Sequence, residues 1–143
     1  MAKMVSFSVV MAVVMILFGG VQRTLSQSTC TYTIKIRTGT TGTDERVDLR
    51  LFSSDESVLD FSDLDGPGDD FESNQVNTFT FTGRECHVIC AAKLTLARIS
   101  IANAGIWSFE TISVTVSNTS QTKFFAVGEP IRGGTSRVVG PCT

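Results

Sequence analysis

The sequence predicts an all-β chain folded as an antiparallel sandwich or barrel. Three observations predict it. Short stretches alternate apolar and polar residues with a period of two, which puts each apolar set on one strand face. Clusters of Gly, Asn, Asp and Ser separate those stretches at regular spacing. No segment carries a helical period.

The first strand is expected at Tyr32, Ile34 and Ile36, alternating with Thr33, Lys35 and Arg37. A polar loop, Thr38 to Asp44, follows; its glycines allow tight turns and its Thr and Asp side chains can bond turn backbone. Val47, Leu49 and Leu51 form the second strand, and Val58, Leu59 and Phe61 a short third one. Asp63 to Asn74, with Pro67 and two glycines, is a loop. Asn77 to Thr82 places Phe79 and Phe81 on one face and threonines on the other, a half-buried strand ended by Gly83. Ala91 to Ile101 continues with Leu94, Leu96, Ile99 and Ile101, and Asn103–Gly105 is a turn. Trp107 and Phe109, then Ile112, Val114 and Val116, form the next strands. Phe124, Phe125 and Val127 give another short strand. Gly128 to Cys142 is expected to be an irregular tail tied down by Cys142.

Residues 1–26 are expected to be a signal peptide rather than part of the fold. Lys3 precedes the apolar run Val9 to Phe18, which is short for a spanning helix, and Thr24-Leu25-Ser26 suits cleavage before Gln27. Residues 27–143 then form one domain. They keep all 14 acids and lose Lys3 and Arg23 from the 12 bases, leaving a net charge of −4. That balance argues against nucleic acid as a partner, and against binding anionic lipid by charge alone. A monomer in the secretory pathway, extracellular or in the endoplasmic reticulum lumen, is expected.

All four cysteines, Cys30, Cys86, Cys90 and Cys142, lie after the signal peptide. An even count in an exported chain favours two disulfides, in one of three pairings. We expect a local Cys86–Cys90 loop and a Cys30–Cys142 clasp. Zinc held through His87 is the competing reading, but Cys86-His87-Val88-Ile89-Cys90 lacks a second ligand pair.

Catalytic motifs are missing. His87 is the single histidine, and no nucleophile elbow, phosphate loop or zinc-protease helix occurs. Eight acids and no base lie between Asp55 and Glu72. An acid–base hydrolase built on that cluster is the enzymatic alternative.

The opening Tyr32-Thr-Ile-Lys-Ile-Arg-Thr-Gly39, the Gly42-Thr43-Asp44 step and the following Val47-Asp-Leu-Arg-Leu-Phe52 resemble the start of a PLAT (LH2) domain. Cys30, Phe71-Glu72-Ser73, Asn77 to Phe81 and Trp107 are similar to the plant stand-alone secreted type, which includes PLAT-plant-stress and embryo-specific ATS3-like proteins. The resemblance runs from about Cys30 to Val116. It selects an eight-stranded antiparallel β-sandwich, two sheets of about four strands. It implies a protein that binds a lipid or membrane surface, or a protein partner, and does not catalyse. No cofactor is required by it, but some members bind calcium at one end of the sandwich. The matching positions are Thr38, Gly39 and Asp44, with Asp63, Asp65, Asp69 or Asp70 from the acidic loop. Members also insert exposed aromatics into membranes, a role open to Trp107; its alternation with Phe109 favours burial instead. Asn118-Thr119-Ser120 is an N-glycosylation sequon, so Asn118 is a candidate glycan acceptor.

Overall fold

The structure, a computed structural model, describes residues 29–64, 70–97, 105–119, 121–126 and 129–142. The expected signal peptide and residues Ile99, Ile101 and Val127 lie outside them.

The described strands are β1 (Cys30–Thr38), β2 (Val47–Ser53), β3 (Val58–Phe61), β4 (Val76–Gly83), β5 (Ile89–Leu96), β6 (Ile106–Trp107), β7 (Phe109–Val116), β8 (Gln121–Ala126), β9 (Ile131–Arg132) and β10 (Ser136–Val139). Two four-stranded antiparallel sheets form, β4-β1-β7-β8 and β10-β5-β2-β3, with a small β6-β9 ribbon beside them. The fold is thus the expected eight-stranded sandwich with one added pair of short strands.

Alternation explains the two layers. In β1 and β7 the buried set is Tyr32, Ile34, Ile36, Ile112, Val114 and Val116; in β2 and β5 it is Val47, Leu49, Leu51, Leu94 and Leu96. These faces meet in one core, and each large aliphatic side chain removed from water contributes about 1.5–3 kcal/mol. Phe79 and Phe81 are half-buried, as the alternation of β4 with its threonines predicts. In β8 only Phe125 faces the core, while Phe124 is exposed.

Two expectations are corrected. The tail is not irregular throughout, because Ser136–Val139 pairs with β5 from Thr95 to Ala92 and completes the second sheet. The disulfides are Cys30–Cys86 and Cys90–Cys142, not Cys86–Cys90 and Cys30–Cys142. The register dictates this. Cys30 lies opposite Gly83 at the end of β4, so the chain turning out of β4 brings Cys86 back to it. Val139 lies opposite Ala92, so the residues after β10 run past Cys90. With every cysteine oxidised, the zinc reading through His87 has no thiolate ligands.

Candidate functional site

The end of the sandwich where β1 passes to β2 is knitted from several loops. Gly39 donates its amide to the Ser108 carbonyl at 2.7 Å and accepts from the Asn74 amide at 2.8 Å. Thr43 N–H reaches the Phe71 carbonyl at 3.2 Å, and Gly42 N–H reaches Ser73 Oγ at 3.2 Å. A Cβ on Gly42 would stand 2.7 Å from the Phe71 carbonyl oxygen, so only glycine lets these loops touch. The loop after β1 and the end of the acidic loop therefore share one end of the molecule.

Between them opens a cleft of about 400 Å³, lined by Gly42, Thr43, Asp44, Glu45, Glu72, Ser73, Gly105 and Ile106. Among the described residues that line it, three are acids, Asp44, Glu45 and Glu72, and none is a base. Like charges so placed repel one another, and a bound cation would offset that repulsion. Ile106, 45 % exposed, forms its apolar rim.

Glu45 was not legible as a site residue. Its Oε1 accepts from Gly105 N–H at 3.1 Å, while Oε2 is sealed from solvent and, among the described residues, has no hydrogen-bond partner. A Cβ on Gly133 would lie 2.7 Å from that oxygen, so the carboxylate is wedged between two glycine backbones. The sequence signal is only an acid following Asp44; the glycines come from distant segments.

The remaining positions divide. Thr38 is fully buried, and its Oγ1 accepts from Trp107 Nε1 at 3.3 Å, so its side chain serves the core. Asp63 is exposed and does not line the cleft; its amide donates to Asp48 Oδ1 at 2.8 Å. Asp70 Oδ1 accepts from Asn77 Nδ2 at 2.7 Å, which braces the end of its loop on β4. Asp65 and Asp69 lie outside the described residues. Among the described residues no three His, Cys, Asp or Glu side chains are arranged as a formed metal centre.

Trp107 takes the buried position that its alternation with Phe109 favours, not a membrane-facing one. Its exposure is 0 %, and it packs against Phe71 at 5.0 Å and Phe109 at 5.1 Å between ring centroids. The two residues of β6 point opposite ways, so Ile106 takes the outward position.

The opposite end carries a polar network. His87 Nδ1 lies 2.9 Å from Asp55 Oδ2, and Asp55 also accepts from Ser53 Oγ and the Ser57 amide. The Ser53 hydroxyl first, then His87 and the Ser57 amide, hold the Asp55 carboxyl well below the usual carboxylate range. The serine hydroxyl bonds the acid rather than the imidazole, so no activated nucleophile results. Asn118 is exposed at this end, donating to the Thr29 carbonyl at 3.0 Å beside Cys86.

The PLAT/LH2 domain model matches residues 32–139. Among solved structures, a lipoxygenase variant, Delta413-417:GS LOX, superposes with a TM-score of 0.67 at 19 % identity over 80 % of this chain and 16 % of its own. The alpha toxin of Clostridium absonum gives 0.64 at 20 % identity over 79 % and 32 %. Coral 8R-lipoxygenase, described with calcium activation through a C2-like domain, gives 0.60 at 17 % identity over 78 % and 17 %. This chain thus spans a third or less of the length of each. No curated protein sequence matches it.

Proposed function

The chain belongs to the PLAT/LH2 domain family, and from that premise we propose a non-catalytic binding module that docks on a lipid surface through the cleft end of the sandwich. One observation carries this reading: an exposed Ile106 stands on the rim of a cleft that holds Asp44, Glu45 and Glu72. An aliphatic side chain at a loop end gains by entering a membrane interface. The same end is the surface for a protein partner if the partner presents an apolar patch and a cation. Two disulfides fit an oxidising compartment. With the signal-peptide pattern of residues 1–26, they support a secreted or lumenal protein. The Cys30, Phe71-Glu72-Ser73 and Trp107 features support the plant stand-alone type, with a role in stress response or in embryo and seed development.

A second reading is favoured by the cleft's carboxylates: docking depends on calcium, with Asp44 as a ligand and Asp65 and Asp69 as further candidates. The likeness to the calcium-activated coral enzyme supports it. Vesicle co-sedimentation with and without calcium tests both. The native protein should pellet with vesicles, Ile106→Asp should not, and Asp44→Asn should lose only the calcium-dependent part. Equal sedimentation of the native protein and Ile106→Asp would refute docking at this end.

A further inference from the structure

The outer face of the β4-β1-β7-β8 sheet is a hydroxyl lattice. Thr80, Thr33, Thr115 and Thr122 stand in register across all four strands. Thr115 and Thr122 hydroxyls meet at 2.9 Å. In the adjoining row Thr78, Lys35, Ser113 and Phe124 stand in register. Phe124 is 74 % exposed and is the most exposed large apolar side chain among the described residues.

Charge on this face is sparse. Arg37 is neutralised by Glu110 at 2.7 Å, brought beside it by the bulge between Arg37 and Thr38. Lys35 is exposed and, among the described residues, forms no ion pair. The face is therefore weakly cationic on a chain that is acidic after residue 26.

We propose that this face binds an extended polysaccharide that carries carboxylate groups. Hydroxyls both donate and accept, so a threonine lattice matches sugar hydroxyls at any rotation. Neighbouring rows and strands offer such groups every roughly 5–7 Å. Phe124 presents a free ring for the C–H face of a pyranose. Lys35 lies two strands away in the same row, roughly 10 Å, and supplies the counter-charge for a uronate. A lipid surface would need contiguous apolar area, whereas Phe124 on β8 and the exposed Val76 on β4 stand at opposite edges of this sheet with hydroxyls between them. A nucleic acid would need several free cations, and among the described residues this face has one, Lys35.

Affinity electrophoresis in EDTA through gels containing polygalacturonate or neutral hydroxyethylcellulose tests the proposal. Polygalacturonate should retard the native protein and the neutral polymer should not. Phe124→Ala and Lys35→Gln should each weaken retardation roughly threefold to tenfold, the size of one aromatic or ionic contact. Both side chains are exposed, and unchanged melting temperatures would show that the variants fold. Ile106→Asp should be retarded like the native protein, which separates this face from the docking end. No retardation by polygalacturonate, equal retardation by both polymers, or retardation unchanged in both face variants would overturn the proposal.

Discussion

Trp107 donates its indole N–H to the Thr38 hydroxyl across 3.3 Å, and neither residue has any solvent exposure. The bond ties the β6-β9 ribbon, whose Ile106 lines the cleft, to the end of β1. Thr38→Val keeps the shape but strands the indole N–H, and should cost about 1–3 kcal/mol in denaturant titration. Trp107 is the single tryptophan. Its emission should therefore be that of a buried indole and should not shift when vesicles are added.

Non-reducing peptide mapping should find Cys30 linked to Cys86 and Cys90 to Cys142, with no free thiol. The bridges span 56 and 52 residues, so on the loop-entropy model each stabilises by about 4 kcal/mol. A Cys86–Cys90 peptide would contradict the register of β4 on β1.

Phe79 is half-buried in β4, with its ring 5.7 Å from that of Phe71, while Thr80 points to the outer face. Phe79→Ala should cost about 2–3 kcal/mol, below the range for a fully buried ring. Thr80→Ala should change stability by about 0.5 kcal/mol or less. Equal effects would mean that the strand phase is reversed.

Asp55 gives a pH signature. Its carboxyl is held below the ordinary value in the folded protein. Its contribution is therefore complete above the ordinary carboxylate pKa, and is lost as pH falls towards the lower folded value. Thermal unfolding of Asp55→Asn should show a lower melting temperature at pH 7 and a shallower further loss on acidification. Parallel acid profiles for the two proteins would show that the Ser53 and His87 bonds do not act on Asp55 in solution.

Much of the fold was legible locally. β1, β2 and β7 announce themselves by strict alternation, and the parity of Trp107 with Phe109 already favoured burial. What was not legible depends on segments far apart in the chain. The disulfide partners follow from how β4 meets β1 and β10 meets β5, which no local spacing contains. β10 was hidden because four residues, Ser136–Val139, stand between Gly133-Gly134 and Gly140-Pro141, where turn chemistry outweighs a short apolar pattern. The cleft was half visible: Asp44 stood out in its turn, but Glu45 acquires its setting from Gly105 and Gly133. Asp63 belonged to the right stretch by composition, yet its bond to Asp48 keeps it off the cleft.

The central claim is that the cleft end, and not the opposite end, meets a lipid surface. An environment-sensitive dye placed on Ile106→Cys reports the first, and the same dye on Gln121→Cys, at the exposed start of β8, reports the second. On adding vesicles with calcium present, the dye at position 106 should shift to the blue and the dye at position 121 should not. A blue shift at position 121 alone, or at neither position, would contradict the account.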